Sequence, residues 1–156
     1  MRYSSVKRVL LFLVIGIGAI WVQPVRAALG SDAASVLTDG AELQGVVHSV
    51  LAQQYDMEEI TAASGVRVRE FLNRNGSVFA VTWSGPVVPN LRTLLGASFE
   101  GYIKSVAALT QPGLHRSLRI ATSELVVESE GHMRAYSGRA YLPLLIPTGV
   151  SMADLR

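Results

Sequence analysis

The chain has 156 residues, with 14 Lys and Arg against 12 Asp and Glu, a net charge of +2 at pH 7, and no cysteine. The absence of cysteine excludes disulfide stabilisation and thiol catalysis, so the fold must depend on a hydrophobic core. A chain of this length is large enough for one domain with such a core.

The N-terminal segment has the pattern of a secretory signal peptide. Basic residues within the first eight positions precede an uncharged apolar run over residues 9–22, and Val25 and Ala27 fit the positions before a cleavage site. This order predicts a signal peptide over residues 1–27 and a mature chain that begins at residue 28. An uncleaved membrane anchor is disfavoured, because the run is shorter than the ~20 apolar residues that span a bilayer. We therefore predict a periplasmic or secreted protein with no membrane span after cleavage.

Cleavage would change the charge balance of the protein. Removing residues 1–27 takes away four basic residues and leaves ten basic and twelve acidic residues. Domains that bind nucleic acid normally carry a basic patch as their electrostatic footprint. The slightly acidic mature chain therefore argues against a nucleic-acid partner.

The first part of the mature chain gives weak structural signals. Residues 28–42 are small, polar and weakly periodic, which is typical of a flexible N-terminal leader. From residue 43 to residue 51 the apolar positions recur at helical spacing, but several of these residues are β-branched. The sequence alone leaves both helix and strand open for residues 43–51.

Three strands of an antiparallel meander are predicted next. Residues 55–61, 66–72 and 77–83 have strand-like composition, and the second of these segments alternates apolar residues with arginine. The Asn-Gly pair within residues 73–76 predicts a tight hairpin turn. Prolines at 86 and 89 end the sheet there, because proline has no backbone N–H to donate to a neighbouring strand.

A single long helix is predicted after the meander. Asn90 is a suitable N-cap, because its side chain can accept hydrogen bonds from the first free amides of a helix. Apolar residues then recur near one stripe at 3.6-residue spacing, and Gln-Pro-Gly at residues 111–113 ends the pattern. We therefore predict a helix over residues 90–109.

Two further strands complete the predicted fold. Residues 118–129 and 132–147 have strand-like composition, and Glu130-Gly131 is the predicted turn between them. The predicted fold class is α+β: an antiparallel β-meander of about five strands with one main α-helix packed on one face. This fold is expected to form a single domain over residues 43–156.

The last predicted strand contains Arg-Ala-Tyr twice, ending at Tyr136 and Tyr141. An offset of five residues places the two tyrosines on opposite faces of a regular strand, because side chains alternate with a period of two. A bulge at Ser137 and Gly138 would add one residue and bring the two rings to one face. A shared face for the two tyrosines therefore depends on such a bulge.

Arginines and aromatic residues on the predicted strands form a candidate binding site. Guanidinium groups bind carboxylate or phosphate through two parallel hydrogen bonds, and Arg, Tyr and Trp dominate protein interfaces. The expected partner is a small anionic or glycan-like ligand, or an envelope protein, and no catalytic residue, metal or cofactor is predicted. The candidate ligand-binding residues are Arg69, Trp83, His132, Arg134, Tyr136, Arg139 and Tyr141.

The same residues have a purely structural interpretation, which we favour. In this interpretation the aromatic rings belong to the hydrophobic core and the arginines pair with glutamates on neighbouring strands. The expected glutamate partners are Glu59, Glu70, Glu128 and Glu130.

A metal-binding or hydrolytic role for His132 is the chemical alternative. Glu128, Glu130 and His132 are spaced by two, so an unbroken strand would project all three from one face, where they could bind a metal such as zinc. The predicted turn at Gly131 and the positive charge of Arg134 argue against this site. A periplasmic hydrolase or metal-binding protein that uses His132 and nearby carboxylates therefore stays the second hypothesis.

Two segments carry a family resemblance. VREFLNRNGSVFAVTWSGPVVPNLRTLLG at residues 68–96 and VESEGHMRAYSGRAYLPLLIPTGV at residues 127–150 resemble a family of small exported proteobacterial proteins, domain of unknown function 2844. The similarity extends from Ala28 to the C-terminus. The resemblance implies a periplasmic or secreted location and supplies no activity, cofactor or catalytic residue. Together with the residues, it predicts a small non-enzymatic binding or envelope-associated protein.

Overall fold

The computed structural model describes residues 29–52, 54–109, 117–153 and 155. The predicted signal peptide lies outside the described residues and stays a prediction. Two 3-10 turns accompany the regular elements, at Gly96–Ser98 and Pro143–Leu145. The helices and strands are α1 (Ala33–Glu42), β1 (Val46–Leu51), β2 (Asp56–Thr61), β3 (Arg67–Leu72), β4 (Val78–Gly85), α2 (Leu91–Leu95), α3 (Phe99–Ala107), β5 (Ser117–Ala121), β6 (Val126–His132) and β7 (Ala135–Tyr141).

The described strands form one antiparallel sheet of seven strands in the order β1-β2-β3-β4-β7-β6-β5. Two meanders, β1 to β4 and β5 to β7, are joined because β7 pairs with β4. The chain passes from β4 to β5, at the far edge of the sheet, through α2 and α3. The predicted α+β class with an antiparallel sheet is confirmed, while the sheet has more strands than the five predicted.

The two additional strands come from the two ends of the sheet. Residues Val46–Leu51 form β1, which decides the open alternative for residues 43–51 in favour of a strand. The segment 118–129, predicted as one strand, is divided into β5 and β6. The division occurs at Thr122, whose hydroxyl accepts hydrogen bonds from the amides of Glu124 and Leu125 and so closes a local turn.

The turn predicted at Glu130-Gly131 is wrong. Strand β6 continues through both residues to His132, and Arg134, with a φ of 61°, lies in the turn before β7. Gly131 is instead suited to close side-chain packing, because a Cβ there would lie 2.8 Å from Cδ1 of Tyr136. A glycine that makes room for a ring gives the same sequence signal as a glycine that makes a turn.

Most of the described part of the segment predicted as a flexible leader, residues 28–42, is helical. Residues 33–42 form α1, with the Asp32 side chain accepting a hydrogen bond from the Ser35 amide as N-cap. Val36 is buried in the core. The small residues that weaken the sequence pattern allow the helix to approach the sheet closely, since a Cβ at Gly40 would lie 2.6 Å from Cγ2 of Val47.

The predicted long helix is present as two helices. The Asn90 side chain accepts hydrogen bonds from the amides of Arg92 and Thr93, which confirms the predicted N-cap. Gly96, with a φ of 48°, then interrupts the helix, and a 3-10 turn leads into α3. The end predicted at residue 109 lies close to the observed end of α3 at Ala107.

The sheet has two faces with different coverings. We call the face that packs against the three helices the helix face, and its main core contributes Ile60, Val68, Val81, Val127, Leu94, Leu95 and Tyr102. We call the opposite face the groove face. One part of the groove face is apolar and packs against the C-terminal segment after β7, through Phe71, Ala80, Tyr141, Leu145, Val150 and Leu155.

None of the helices in the described parts of the chain has the length and apolar character needed to cross a membrane.

Candidate functional site: a charged groove on the sheet

A row of polar side chains crosses the groove face. The strand registers align six residues on successive strands from β2 to β5, and we call them the charged row. Neighbouring strands are about 4.8 Å apart, so the backbones of Arg69 and Arg139 lie about 10 Å apart on either side of Thr82. The charged row consists of Glu59, Arg69, Thr82, Arg139, Glu128 and Arg119.

Each carboxylate of the charged row bridges two guanidinium groups. Glu59 lies 2.7 Å from Nε of Arg69 and 3.4 Å from Nε of Arg67. Glu128 Oε2 accepts from Arg139 at 2.7 Å, and its Oε1 lies 3.2 Å from Nε of Arg119. Four guanidiniums therefore share two carboxylates in these ion pairs, and Glu130 also lines the groove, so four arginines face three glutamates with an excess of one positive charge.

The C-terminal segment forms one wall beside the charged row. Arg139 Nη1 donates a hydrogen bond of 2.7 Å to the carbonyl oxygen of Met152. Leu155 is buried in the apolar cluster of Phe71 and Phe79. The arginine thus connects the wall to Glu128, so the segment and the charged row support each other.

A row of hydroxyl groups lies on the other side of the charged row. Ser84 of β4 is paired in register with Ser137 of β7. A third hydroxyl, that of Thr82, lies next to them within the charged row itself. Together with Arg67, Arg69 and Arg139 these residues line a groove with a volume of about 530 Å³. This volume is within the range of small-molecule sites, which is roughly 300–1,000 Å³.

The groove lining includes three of the predicted ligand-binding residues: Trp83 and the two arginines Arg69 and Arg139. The arginine side chains are 29% and 32% exposed, so both are partly withdrawn from water. The groove hydroxyls of Thr82, Ser84 and Ser137 are not among the residues predicted from the sequence. Their positions alternate along strands with the core residues, and this alternation is the signal that would have placed them beside the arginines.

The Trp83 side chain faces away from the groove, and the remaining predicted residues lie outside it. Trp83 is 3% exposed on the helix face, where its indole covers Gly138 so closely that a Cβ there would overlap the ring. Tyr141 packs in the apolar cluster of the groove face. His132 and Arg134 are exposed at and after the end of β6.

Tyr136 and Tyr141 lie on opposite faces of the sheet. Strand β7 pairs with β4 without a shift from Tyr136 to Tyr141, so the bulge considered at Ser137 and Gly138 is absent. Tyr136 contributes instead to a second depression of about 600 Å³ at the β6–β7 hairpin, together with Trp83 and His132. The seven predicted residues therefore do not form one site.

The metal site considered around His132 has no support in the described residues. Glu128, Glu130 and His132 do share the groove face, because β6 continues through Gly131. No group of three possible ligands in the described residues is arranged to hold a metal ion. Glu128 is also engaged by Arg119 and Arg139.

The expected pairing of arginines with glutamates is observed at Glu59 and Glu128 and not at Glu70. Glu70 follows Arg69 on β3 and so faces the helices, where it is fully buried beside Asp39. No other described residue donates a hydrogen bond to the four carboxyl oxygens of this pair. Asp39 and Glu70 can therefore hydrogen-bond to each other only by sharing a proton.

Burial raises the pKa values of both carboxyls in this pair. Desolvation, followed by the negative charge of Glu70, raises the pKa of Asp39 to about 9. Desolvation raises the pKa of Glu70 to about 7, with a further rise from Glu58 and an opposing effect of the hydrogen bond with Asp39. The pair is closed off from the groove, on the other face of the sheet, and we interpret it as structural.

The fold and the groove define a small antiparallel α+β domain with a polar, guanidinium-rich site. A family model described as protein of unknown function (DUF2844) matches residues 25–155, so the chain belongs to that family. Comparison with curated proteins and with solved structures gave no match.

Proposed function

We propose that the protein is an exported binding protein that holds a small anionic ligand in the groove. The observation that carries this proposal is the sharing of two carboxylates by four guanidiniums, three of which, those of Arg67, Arg69 and Arg139, line a groove of about 530 Å³. Export rests on the signal-peptide pattern of residues 1–27.

The chemistry of the groove favours an anion over a neutral ligand. Guanidiniums form charge-assisted hydrogen bonds with carboxylate, phosphate or sulfate, and such bonds are roughly twice as strong as neutral ones. Hydroxyls at Thr82, Ser84 and Ser137 supply donors that orient the anion.

Thermal stability of the mature chain, residues 28–156, provides the test. Phosphate, sulfate, citrate, glucuronate and neutral glucose would be titrated at constant ionic strength. A ligand that binds the native state stabilises it by about 2.7 kcal/mol at a concentration a hundredfold above its Kd. We expect at least one anion to raise the melting temperature in a saturable manner.

Two exposed arginines give a matched pair of variants. Arg67 lines the groove, with a side chain that is 53% exposed and lies 3.4 Å from Glu59. Arg92 is 60% exposed, lies 3.3 Å from Glu100, and is on α2, outside the groove. Arg67→Gln is expected to weaken the anion-dependent shift and Arg92→Gln to leave it intact. Equal loss in both variants, or stabilisation by glucose alone, would contradict the anion proposal.

A further inference from the structure

Strand β1 is an unprotected edge of the described sheet. Its sequence, VVHSVL, contains no proline and no Asp, Glu, Lys or Arg. Val46, Val50 and Leu51 are 62%, 50% and 81% exposed. Natural proteins usually protect edge strands with charges, prolines, bulges or short length, because an open edge pairs readily with another strand.

The hairpin geometry shows which backbone groups of β1 face outward. The Ala52 amide donates to the Tyr55 carbonyl at 3.1 Å, next to the turn into β2. Hydrogen-bonded and non-bonded pairs alternate along an antiparallel ladder, so the even-numbered residues of β1 bond to β2. The N–H and C=O groups of Val47, Ser49 and Leu51 therefore point away from the sheet.

We propose that β1 pairs antiparallel with β1 of a second copy of the chain, around a two-fold axis at Ser49. In this register Val47 lies opposite Leu51 of the second copy, and Ser49 lies opposite its own equivalent. The three outward N–H groups and the three outward C=O groups of each strand then all form hydrogen bonds with the other strand. On the groove face His48 lies opposite Val50, so no like charges meet.

The properties of the two edges favour a second copy over an unlimited assembly or a charged partner. Strand β1 has no charged side chains with which to form ionic contacts to a charged partner. In contrast, β1 of a second copy has the same length and the same pattern of side chains. The other edge strand, β5, has five residues and carries Arg119 in an ion pair with Glu128. Two-fold pairing uses the β1 edge of both copies and leaves only protected edges.

The size of this contact predicts a weak dimer. One pair of six-residue strands falls at the low end of interfaces, below the ~1,200 Å² of total buried surface of a stable complex. We therefore expect a monomer–dimer equilibrium that depends on concentration in the micromolar range. The inference is independent of the ligand proposed for the groove.

A single introduced cysteine tests both the pairing and its register. The chain has no cysteine, so Ser49→Cys has one thiol. Directly opposed residues in a hydrogen-bonded antiparallel pair have Cα atoms about 5.5 Å apart, within the ~4.4–6.8 Å that a disulfide needs. Ser117→Cys is the matched control, because Ser117 is an exposed serine on the other edge strand. Under mild oxidation Ser49→Cys is expected to form a covalent dimer at least tenfold faster than Ser117→Cys.

Sedimentation of the wild-type chain and of Val50→Lys gives the second measurement. The wild type is expected to shift from monomer to dimer with rising concentration, and Val50→Lys to remain monomeric with an unchanged melting temperature at low concentration. Equal crosslinking rates for the two cysteine variants, with a monomeric wild type, would overturn the proposal. Growth beyond the dimer, or protection of the Ser49 amide only by a different protein, would also overturn it.

Discussion

Arg69 and Glu70 are consecutive residues of β3, and the two faces of the sheet accommodate their charges in different ways. On the groove face, Arg69 lies 2.7 Å from a carboxylate oxygen of Glu59 and keeps part of its side chain in water. On the helix face, Glu70 is fully buried against Asp39, and no described donor reaches its oxygens. One step along the strand separates an ion pair from a pair of acids.

The difference follows from the cost of burying charge. An ion pair at a partly hydrated surface keeps both groups ionised, and its net contribution to stability is small. A buried carboxylate without a cation is so unfavourable that the group retains its proton instead. The groove face therefore keeps its side chains ionised, while the helix face removes charge by protonation.

The largest expected effect is a loss of stability as the pH rises. Asp39 has a pKa of about 9 in the folded protein and 3.8 as its ordinary value, because of burial and the charge of Glu70. Between about pH 5 and pH 9 the native pair keeps a proton that the unfolded chain has released. Stability is therefore greatest below the unfolded pKa and falls toward the folded pKa, by about 1.4 kcal/mol per pH unit for one proton.

Urea unfolding of the wild type and Asp39→Asn over this pH range would measure the effect. An asparagine amide can donate a hydrogen bond to Glu70 without titrating. The free energy of unfolding of the variant is therefore expected to depend less on pH than that of the wild type and to fall less at high pH. Glu42 of α1 and Glu58 of β2 also act on the pair and are kept in both proteins. Parallel profiles for the two proteins would show that the pair does not hold the proton.

The sequence predicts much of the groove face, because local alternation determines it. The arginines of β3 alternate with apolar residues, which correctly predicts a strand with one charged face. The Asn-Gly turn before β4 is equally local: Gly76 has a φ of 77°, as such turns require. The pairing of Arg139 with Glu128 also follows from strands that are neighbours in sequence.

The helix face was harder to predict, because its features depend on distant packing. Helix α1 is held by tertiary contacts of small residues, so residues 33–42 have little helical signal of their own. The pairing of β4 with β7 joins segments about 55 residues apart, and this pairing creates the groove between Arg69 and Arg139. Neither the composition nor the local period of either segment contains that information.

Close packing on the helix face gives the second prediction. A Cβ at Gly138 would overlap the Trp83 indole and lie 2.7 Å from the carbonyl oxygen of Glu128. Because one of these neighbours is backbone, Gly138→Ala is expected to lower the free energy of unfolding by about 1–3 kcal/mol. Gly101→Ala on α3 is the control, since nothing lies within 4 Å of its added Cβ. There alanine is expected to stabilise by about 0.5–1 kcal/mol, as measured by chemical denaturation.

The smallest expected effect on stability is at Glu128 in the groove. Glu128→Gln removes the carboxylate that Arg119 and Arg139 share, and since all three side chains are partly exposed the loss is expected to be about 1 kcal/mol or less. Glu100→Gln, which affects only the exposed pair with Arg92, should change stability even less.

The same substitution should act in the opposite direction on ligand binding. Removing one negative charge increases the positive excess of the groove, so the proposed anion should bind roughly fivefold more tightly to Glu128→Gln, which corresponds to about 1 kcal/mol. Calorimetric titration of the variant at constant ionic strength measures the affinity, and its melting temperature without ligand measures the stability. A lower melting temperature with tighter binding would separate the structural role of the carboxylate from the binding role of the arginines. If affinity and stability fall together, Glu128 serves to position Arg139 for the ligand, and fixed geometry rather than net charge determines binding.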